Sequence, residues 1–579
     1  MNENKTACPL DCYDACEVIF SKKKLMGVKE GHTQGFLCPH LNHYFDHQRI
    51  KAARYKGQEI SMQEALEKLE KILQSAKAQE TLFYRGSGNM GLMQEVSDHF
   101  FASYGAVLTE GSLCDGAGEA GIIQGRGSNK NMPLSEIAKS EVLILWGRNP
   151  HVTSSHLLPL LKDKEIIVID PRITKSAQMA DLHIQLKPHG DLYLALLLCR
   201  FLHIENGFDK AYVEKYATEY EEFYELTQTV RIKATLEAID VTLGQIGAIL
   251  ELIKGKRVAI VCGAGLQKYS DGADVMRAID AFGVMLGLFG KEGCGVAYLG
   301  DSKEGIQSPF VTKAKRVSKV NTEFSKFKNV VVQAANPFAQ MPDSSRVYAQ
   351  MQELETLVYF GLYENETSKQ ADLVIPAKSF LEKADVRTSY SHNAMLAMPK
   401  VLENSYGISE YELSAYLCKK FEIPLEDEAF YINHFKNFAV QKIDGSWQVE
   451  KREEIPYIEG FDTDDGEFCF LEEYDTDFNM QEDMFVLSPK SAKSLNSQFY
   501  REKYVYLHKE SGFKEDQELE ICSKNGSVIL KAKIDDTIRK DCIVLYSGTP
   551  EINNITSSRH SLDGKNAIYQ ENKVKVKAI

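Results

Sequence analysis

Positive charge is in short supply along this chain: 68 Lys and Arg stand against 82 Asp and Glu over 579 residues, a formal net charge of −14. That balance excludes nonspecific nucleic-acid binding and attraction to an anionic membrane surface. No basic arm departs from it. Long apolar runs are missing too, since the strongest, LYLALLLCRFL at 192–202, is too short to span a bilayer and lies between Asp191 and His203. Internal repeats and low-complexity tracts are absent. No export segment precedes Cys8, so a disulfide framework is not expected and a reducing, cytoplasmic setting is. The stretch 455–483 is acidic and poorly patterned and reads as a connecting segment. What remains, 44% hydrophobic and 26% charged residues, is ordinary globular composition in a chain long enough for several domains.

Against these absences stand four cysteines near the start, Cys8, Cys12 and Cys16 in ACPLDCYDACEV and Cys38 in GFLCPHL. Three closely spaced thiols and one distant thiol suit an iron–sulfur cube, because thiolates are soft anionic ligands for iron and the short arms wrap three corners. Four thiolates also bind zinc, but structural zinc takes paired short spacings at both ends. Here three residues separate Cys8 from Cys12, three separate Cys12 from Cys16, and 21 separate Cys16 from Cys38. A radical enzyme using S-adenosylmethionine would place its second and third cysteines one residue closer. A cluster at Cys8, Cys12, Cys16 and Cys38 is therefore the favoured reading, and it implies that electrons enter or leave here. No further C-x-x-C array suggests a second cluster. Cys199, Cys262, Cys294, Cys418, Cys469, Cys522 and Cys542 sit among apolar residues and are expected to be buried as small hydrophobes. Cys114, in the glycine-rich TEGSLCDGAGEAG, stands apart from them.

Residues 58–76 place apolar side chains at helical spacing after Ser61 and predict an amphipathic helix with an N-cap. Short, nearly continuous apolar strands followed by turns recur at TLFYRGSGNMG, EVLILWGRNP, EIIVIDPR, RVAIVCGAGLQ, KNVVVQAANP and TLVYFGLYENE. That grammar predicts two nucleotide-fold-like α/β domains with parallel sheets covered on both faces. From about Met484 short alternating strands predict a small β-barrel. Ligands of open α/β sheets sit outside the carboxyl ends of strands, where turn amides and Arg meet phosphates and Asp meets ribose hydroxyls. Trp146-Gly147-Arg148-Asn149-Pro150 and Asp170-Pro171-Arg172 are two such ends; tight turns are the bland alternative for either alone. Gly263-Ala264-Gly265 is only part of a GxGxxG pattern, with Lys268 at the third-glycine position.

In this order the segments resemble the molybdopterin oxidoreductases of the dimethyl-sulfoxide-reductase type, which include formate dehydrogenases, nitrate reductases and polysulfide or thiosulfate reductases. The resemblance covers nearly the whole chain: the N-terminal cysteines, WGRNP, IDPR, KPHGDLYLALLL at 187–198 with Gly190 and Asp191, GVMLGLFGKEGCGV at 283–296, AANP at 334–337 with Asn336, ETSKQADLVIPAKSFLEKADVRTS at 366–389, SPKSAKSLNSQF at 488–499 and EINNITSSRHSLDG at 551–564 with Asn554. It implies an iron–sulfur domain at 1–55, one α/β domain at 56–128 and 323–478, a second at 129–322, and a double-psi-type barrel at 479–579. It also implies a [4Fe-4S] cluster and molybdenum or tungsten held by two pterin guanine dinucleotides. The dinucleotide contacts would be Trp146, Gly147, Arg148, Asn149, Asp170, Arg172, Gly190, Asp191, Gly263, Asn336 and Asn554. Cys114 is placed as the protein ligand of the metal, where a soft thiolate suits a high-valent centre; packing against a turn, or Asp115 as the donor, are the other readings.

Two departures bear on chemistry. Formate dehydrogenases of this family follow the metal-binding residue with His, where this chain has Asp115, which points away from formate oxidation by the usual site. Many members carry Lys shortly after the fourth cluster cysteine, where this chain has Pro39-His40, and His40 can donate a hydrogen bond with a charge that depends on pH. The chain is shorter than many catalytic subunits of the family, so trimmed insertions are expected. The resulting expectation is an oxidoreductase exchanging electrons with a small substrate at the metal and passing them to an external carrier or small iron–sulfur partner. The rivals are a non-redox hydratase or hydroxyl-transfer member using the metal as a Lewis acid, and a noncatalytic scaffold subunit.

Overall fold

Val142–Trp146 is buried at all five positions, as a parallel strand covered on both faces must be. In the computed structural model, which describes residues 4–403, 406–475 and 484–579, it is the centre of a five-stranded parallel sheet. The order is Leu182–Ile184, Glu165–Ile169, Val142–Trp146, Val258–Cys262, Gly295–Ala297. Alternation splits the strands between two cores. Val142, Ile144, Trp146, Ile167, Ile169, Val258, Ile260 and Cys262 face a core with the helices Asp191–Ile204 and Gly272–Met285. Leu143, Leu145, Ile166, Val168, Ala259 and Val261 face another.

Register decides where chemistry collects. Trp146 pairs with Ile169 on one side and Cys262 on the other, so Gly147, Asp170 and Gly263 leave the sheet at one edge. The approach is close enough that a Cβ on Gly263 would lie 1.7 Å from the carbonyl oxygen of Gly147. Only glycine fits there.

The second sheet has eight strands, in the order Arg316–Ser318, Val107–Glu110, Thr81–Arg85, Asn329–Gln333, Thr356–Gly361, Leu373–Pro376, Ala53–Tyr55, Gln58–Ile60. The first six are parallel, and the last two form an antiparallel hairpin on the edge. Residues 58–60 are thus strand, and the predicted helix begins after them as Met62–Gln74, with Ser61 and Glu64 forming a reciprocal capping box. Arg316–Ser318 joins this sheet from inside the 129–322 span. Phe468–Cys469 pairs with Ala217–Thr218, and Tyr457, Phe461, Phe468 and Phe470 lie in the core of the five-stranded unit. The segment read as a connector therefore packs its aromatics firmly. The boundary at 478 lies outside the described residues.

At the N terminus Asn4–Ala7, Glu17–Ser21 and Lys24–Gly27 form an antiparallel sheet. The loop holding Cys8, Cys12 and Cys16 joins its first two strands and is closed by a hydrogen bond from Cys8 N to Cys16 O at 2.8 Å. At the other end six strands close a barrel, in the order Met484–Leu487, Cys542–Val544, Tyr504–Leu507, Ser527–Ile534, Glu518–Cys522, Lys573–Ala578. A barrel loop reaches the Cys114 loop through a parallel bridge between Ser112 and Asn566. Gly116 and Gly564 pack backbone to backbone there, a Cβ on Gly564 meeting Gly116 O at 1.9 Å. Among the described residues no helix is long and apolar enough to cross a membrane. Cys199, Cys262, Cys418 and Cys542 are buried as expected, whereas Cys294, Cys469 and Cys522 are only partly so, because each sits near the end of its strand or loop rather than inside a core.

Candidate cofactor and metal site

One cavity of about 540 Å³ gathers most of the predicted residues. Cys8, Cys12, Cys16, Cys38, Cys114, Gly147, Arg148, Asn149, Asp170, Arg172, Asp191 and Gly263 all line it, and so do Asp115 and His40. Its walls come from the N-terminal loop, the edge of the five-stranded sheet and the first barrel loop, residues 487–496. A second cavity of about 160 Å³ lies against the eight-stranded sheet and is lined by Asn336, Gln333, Gln498 and Arg501. Leu10, Asp11, Leu495 and Asn496 line both. The two sheets repeat one device: a strand, then Asn-Pro, then a one-turn helix, with Asn149 before Pro150–Thr153 and Asn336 before Pro337–Gln340.

The four N-terminal thiols stand around the cavity wall. Among the described residues no three His, Cys, Asp or Glu side chains converge as ligands of a single ion. Burial first, and then Cys38, pushes the Cys8 thiol up to about 12. Cys12, Cys16 and Cys38 are raised likewise by burial, with buried Asp14 and neighbouring thiols adding to it in Cys12 and Cys16 and Asp14 in Cys38. Four thiolates and a carboxylate cannot all be charged in such a place without a cation among them.

Cys114 faces the same space. Its amide is held by Ser112 Oγ at 2.9 Å and its carbonyl accepts from Gln267 Nε2 at 2.6 Å, which fixes the loop while the thiol stays without a hydrogen bond to it. Burial, then Asp115 and Asp11, raises the thiol to about 12, against the pull of Lys490 and Lys268. Asp115 accepts from Ser112 Oγ at 2.9 Å and is itself raised by burial.

Cationic neighbours of Cys114 were not singled out from sequence for this role. Lys268 is 6% exposed, and burial followed by Lys490 brings its ammonium down to about 8. Its only sequence signal was a lysine where a phosphate loop would want glycine. Lys490 and Asp11 line the cavity as well; each sits in a segment recognised for other reasons. His156 and His392 were missed because their approach to the N-terminal cysteine loop joins segments more than a hundred residues apart, and His32 was missed although it follows Cys16 by only 16 residues.

At the sheet edge Arg148 is buried, with its guanidinium 4.5 Å from the Tyr13 ring centroid. Asp170 accepts from Arg172 N at 2.8 Å, and burial lifts its carboxyl to about 6. Arg172 also lies 3.6 Å from Asp535 of the barrel. Trp146 does not line the cavity; it is fully buried and donates from Nε1 to Asp191 Oδ1 at 2.7 Å. Gly190 likewise lies outside, at the N-cap of the helix that begins with Asp191. Asn336 bonds internally to Thr367 and Glu366. Asn554 lines neither cavity: its Oδ1 accepts from Ser344 and Ser345 and ties the barrel to the eight-stranded unit. It sits at the C-cap of the helix Pro550–Asn553.

Several buried polar atoms along the cavities have no protein partner: Arg148 Nε, Asn149 Oδ1, Arg172 Nε and Ser488 Oγ in the larger, Gln333 Nε2 and Gln498 Oε1 in the smaller. Unpaired buried donors and acceptors are costly, so both cavities fit a polar ligand rich in both.

Comparison with known proteins agrees with this geometry. A family model for molybdopterin oxidoreductases matches residues 51–413. The chain belongs to that family. A second model, for the molybdopterin dinucleotide-binding domain, matches 489–572, within the barrel unit. "Probable oxidoreductase YyaE" of Bacillus subtilis is 25% identical over 444 residues, 70% of this chain and 66% of that protein. The dimethyl sulfoxide/trimethylamine N-oxide reductase of Rhodobacter capsulatus is 26% identical over 372 residues, 52% of this chain and 45% of that one. The matched region thus spans two thirds or less of these relatives' lengths. Acetylene hydratase from Pelobacter acetylenicus superposes over 100% of both chains with a TM-score of 0.80 at 14% identity, which shows a shared fold.

Proposed function

We propose that this molybdopterin oxidoreductase exchanges electrons with a small substrate at molybdenum or tungsten held by two pterin guanine dinucleotides, and relays them through one [4Fe-4S] cluster to an external carrier or small iron–sulfur partner. The observation that carries the reading is that Cys8, Cys12, Cys16, Cys38, Cys114 and the nucleotide-type strand ends open on one cavity. Four thiols on one cavity wall, Cys8 and Cys16 buried and Cys12 and Cys38 partly so, suit a multi-iron body.

When bound, the metal and its pterins supply the two-electron chemistry and the cluster the one-electron steps. The chain supplies the rest. Cys114 offers a soft donor whose proton must leave before it ligates. Arg148, Asn149 and Arg172 present donors and an acceptor to the dinucleotide of the larger cavity, with Asp170 placed for its ribose or guanine. Gln333, Gln498 and Arg501 present theirs to the second. Lys268 and Lys490 balance Asp11 and Asp115 beside Cys114. His40 lines the larger cavity stacked on Phe499, with ring centroids 4.9 Å apart, where it can donate a hydrogen bond between cluster and pterin.

The test is the composition and turnover of anaerobically purified protein. About four irons per chain are expected for a cubane, with molybdenum or tungsten and guanine nucleotide, and loss of the iron signal in Cys12→Ala. Oxyanion, sulfur-compound and formate substrates would then be screened with an artificial electron donor or acceptor. Stoichiometric zinc without iron sinks the cluster, and hydration without electron exchange would transfer the protein to the non-redox reading.

A further inference from the structure

Cys16 differs from the other three N-terminal thiols in what faces it. Backbone amides near Cys8, Cys12 and Cys38, those of Leu10, of Asp14, and of Leu41 and His40, favour the thiolates there against burial. Cys16 Sγ instead lies 3.2 Å from Nε2 of His156, a residue 140 positions away and 1% exposed. The imidazole is held for that contact. Its backbone N donates to Asp14 Oδ2 at 3.4 Å, Phe36 packs on it with centroids 4.4 Å apart, and His32 meets it edge-on at 6.2 Å. His32 in turn packs tilted against His392 with centroids 3.9 Å apart, and His392 Nε2 bonds the Asp14 carbonyl at 3.0 Å. The price of this orientation is Nδ1 of His156, buried without a partner. A ring fixed with one nitrogen unpaired is oriented for the sake of the other.

We propose that His156 donates an N–H···S hydrogen bond to Cys16 and thereby sets the reduction potential of the iron–sulfur cluster, a proposal that rests on the cluster reading above. A thiolate bound to iron is an acceptor only, so the facing nitrogen is the protonated one. The reduced cluster carries one more negative charge than the oxidised cluster. A donor dipole at a ligand sulfur stabilises the reduced form more and raises the potential. His156 is a tuning residue, since it touches neither substrate nor pterin cavity.

Full-length holoenzyme would be titrated by EPR against ambient potential, wild type beside His156→Leu and His156→Gln. The expected result is a more negative midpoint in H156L, of the order of a tenfold lower reduced-to-oxidised ratio at the wild-type midpoint, which for one electron is about 59 mV. H156Q, whose carboxamide can donate, should move less. An intact cluster with an unmoved midpoint in H156L overturns the proposal. Should H156L lose its cluster, wild-type enzyme grown with ¹⁵N-histidine decides: a ring-nitrogen hyperfine coupling on the reduced cluster supports the contact, and its absence overturns it. Wild-type protein with no cubane signal would overturn the cluster reading itself, a result distinct from an unmoved midpoint.

Discussion

Trp146 and Asp191 are joined by a 2.7 Å hydrogen bond from the indole to the carboxylate, which ties the end of the central strand to the first turn of a buried helix. Asp191 lines the larger cavity while Trp146 stays behind it. The indole thus aims the carboxylate from inside the fold, and it opposes the burial that raises Asp191 to about 6.

Trp146→Phe keeps the packing close to its original shape and removes the donor. A hydrogen bond to an ionised acceptor is worth about 1.5–3 kcal/mol, so the variant should unfold earlier by that order. With Asp191 no longer aimed, purified protein should also carry less guanine nucleotide. Unchanged nucleotide content with lowered stability would make the pair purely structural.

Arg172 is proposed to meet a phosphate of the dinucleotide, and its Nε is buried without a partner beside the cavity. Arg172→Glu puts a carboxylate there, next to Asp170 and Asp535, and like charges repel most where water is scarce. Nucleotide and metal content should fall together, with iron retained. Normal nucleotide content in the variant would show that this strand end does not hold the cofactor.

How much of this was legible follows from spacing. Strand ends such as Trp146 to Pro150 and Asp170 to Arg172 announce themselves because apolar run, turn and charge lie within ten residues, and the parallel register then carries them to one edge. Cys8, Cys12 and Cys16 share one loop for the same reason. Contacts made across the chain leave no local trace. Asn554 falls in a family-like segment, yet its Oδ1 accepts from Ser344 and Ser345. The approach of His156 to Cys16 depends on how the segment after Asn149-Pro150 packs against the N-terminal cysteine loop, which no periodicity encodes. The aromatics of 457–470 were hidden by the acidic residues between them.

A pH test comes from His189, whose Nε2 lies 2.9 and 3.0 Å from the two carboxylate oxygens of Asp271. Against the pull of burial, the bond to Asp271 holds His189 above its ordinary 6.5; Asp271, also against burial, is held below 3.8 by His189 and Tyr474. The histidine's contribution to stability is fully present below 6.5 and is lost as pH rises through its raised value. The aspartate's is present above 3.8 and is lost as pH falls through its lowered value. Both operate between those limits. The stability difference between wild type and Asp271→Asn should therefore be larger at about pH 5.5 than at about pH 8.5, read from thermal unfolding. An equal difference at both would mean the pair is uncharged.

Cys114 carries the most consequential prediction, because it is proposed to complete the coordination of molybdenum or tungsten. The loop around it is fixed by Ser112, Gln267 and the close packing of Gly116 on Gly564, none of which uses the thiol. Cys114→Ala should leave that loop, the dinucleotide contacts and the four N-terminal cysteines in place. Pterin, guanine and iron contents should stay near normal while turnover falls by more than the roughly 10- to 100-fold typical of residues that only support a ligand. Cys114→Ser exchanges a soft donor for a hard one and should alter the metal's electronic spectrum even if some activity remains. The two variants together separate the alternatives: if Ala leaves both turnover and spectrum untouched, the ligand is Asp115 or no side chain at all, and Asp115→Asn then becomes the variant whose spectrum must change.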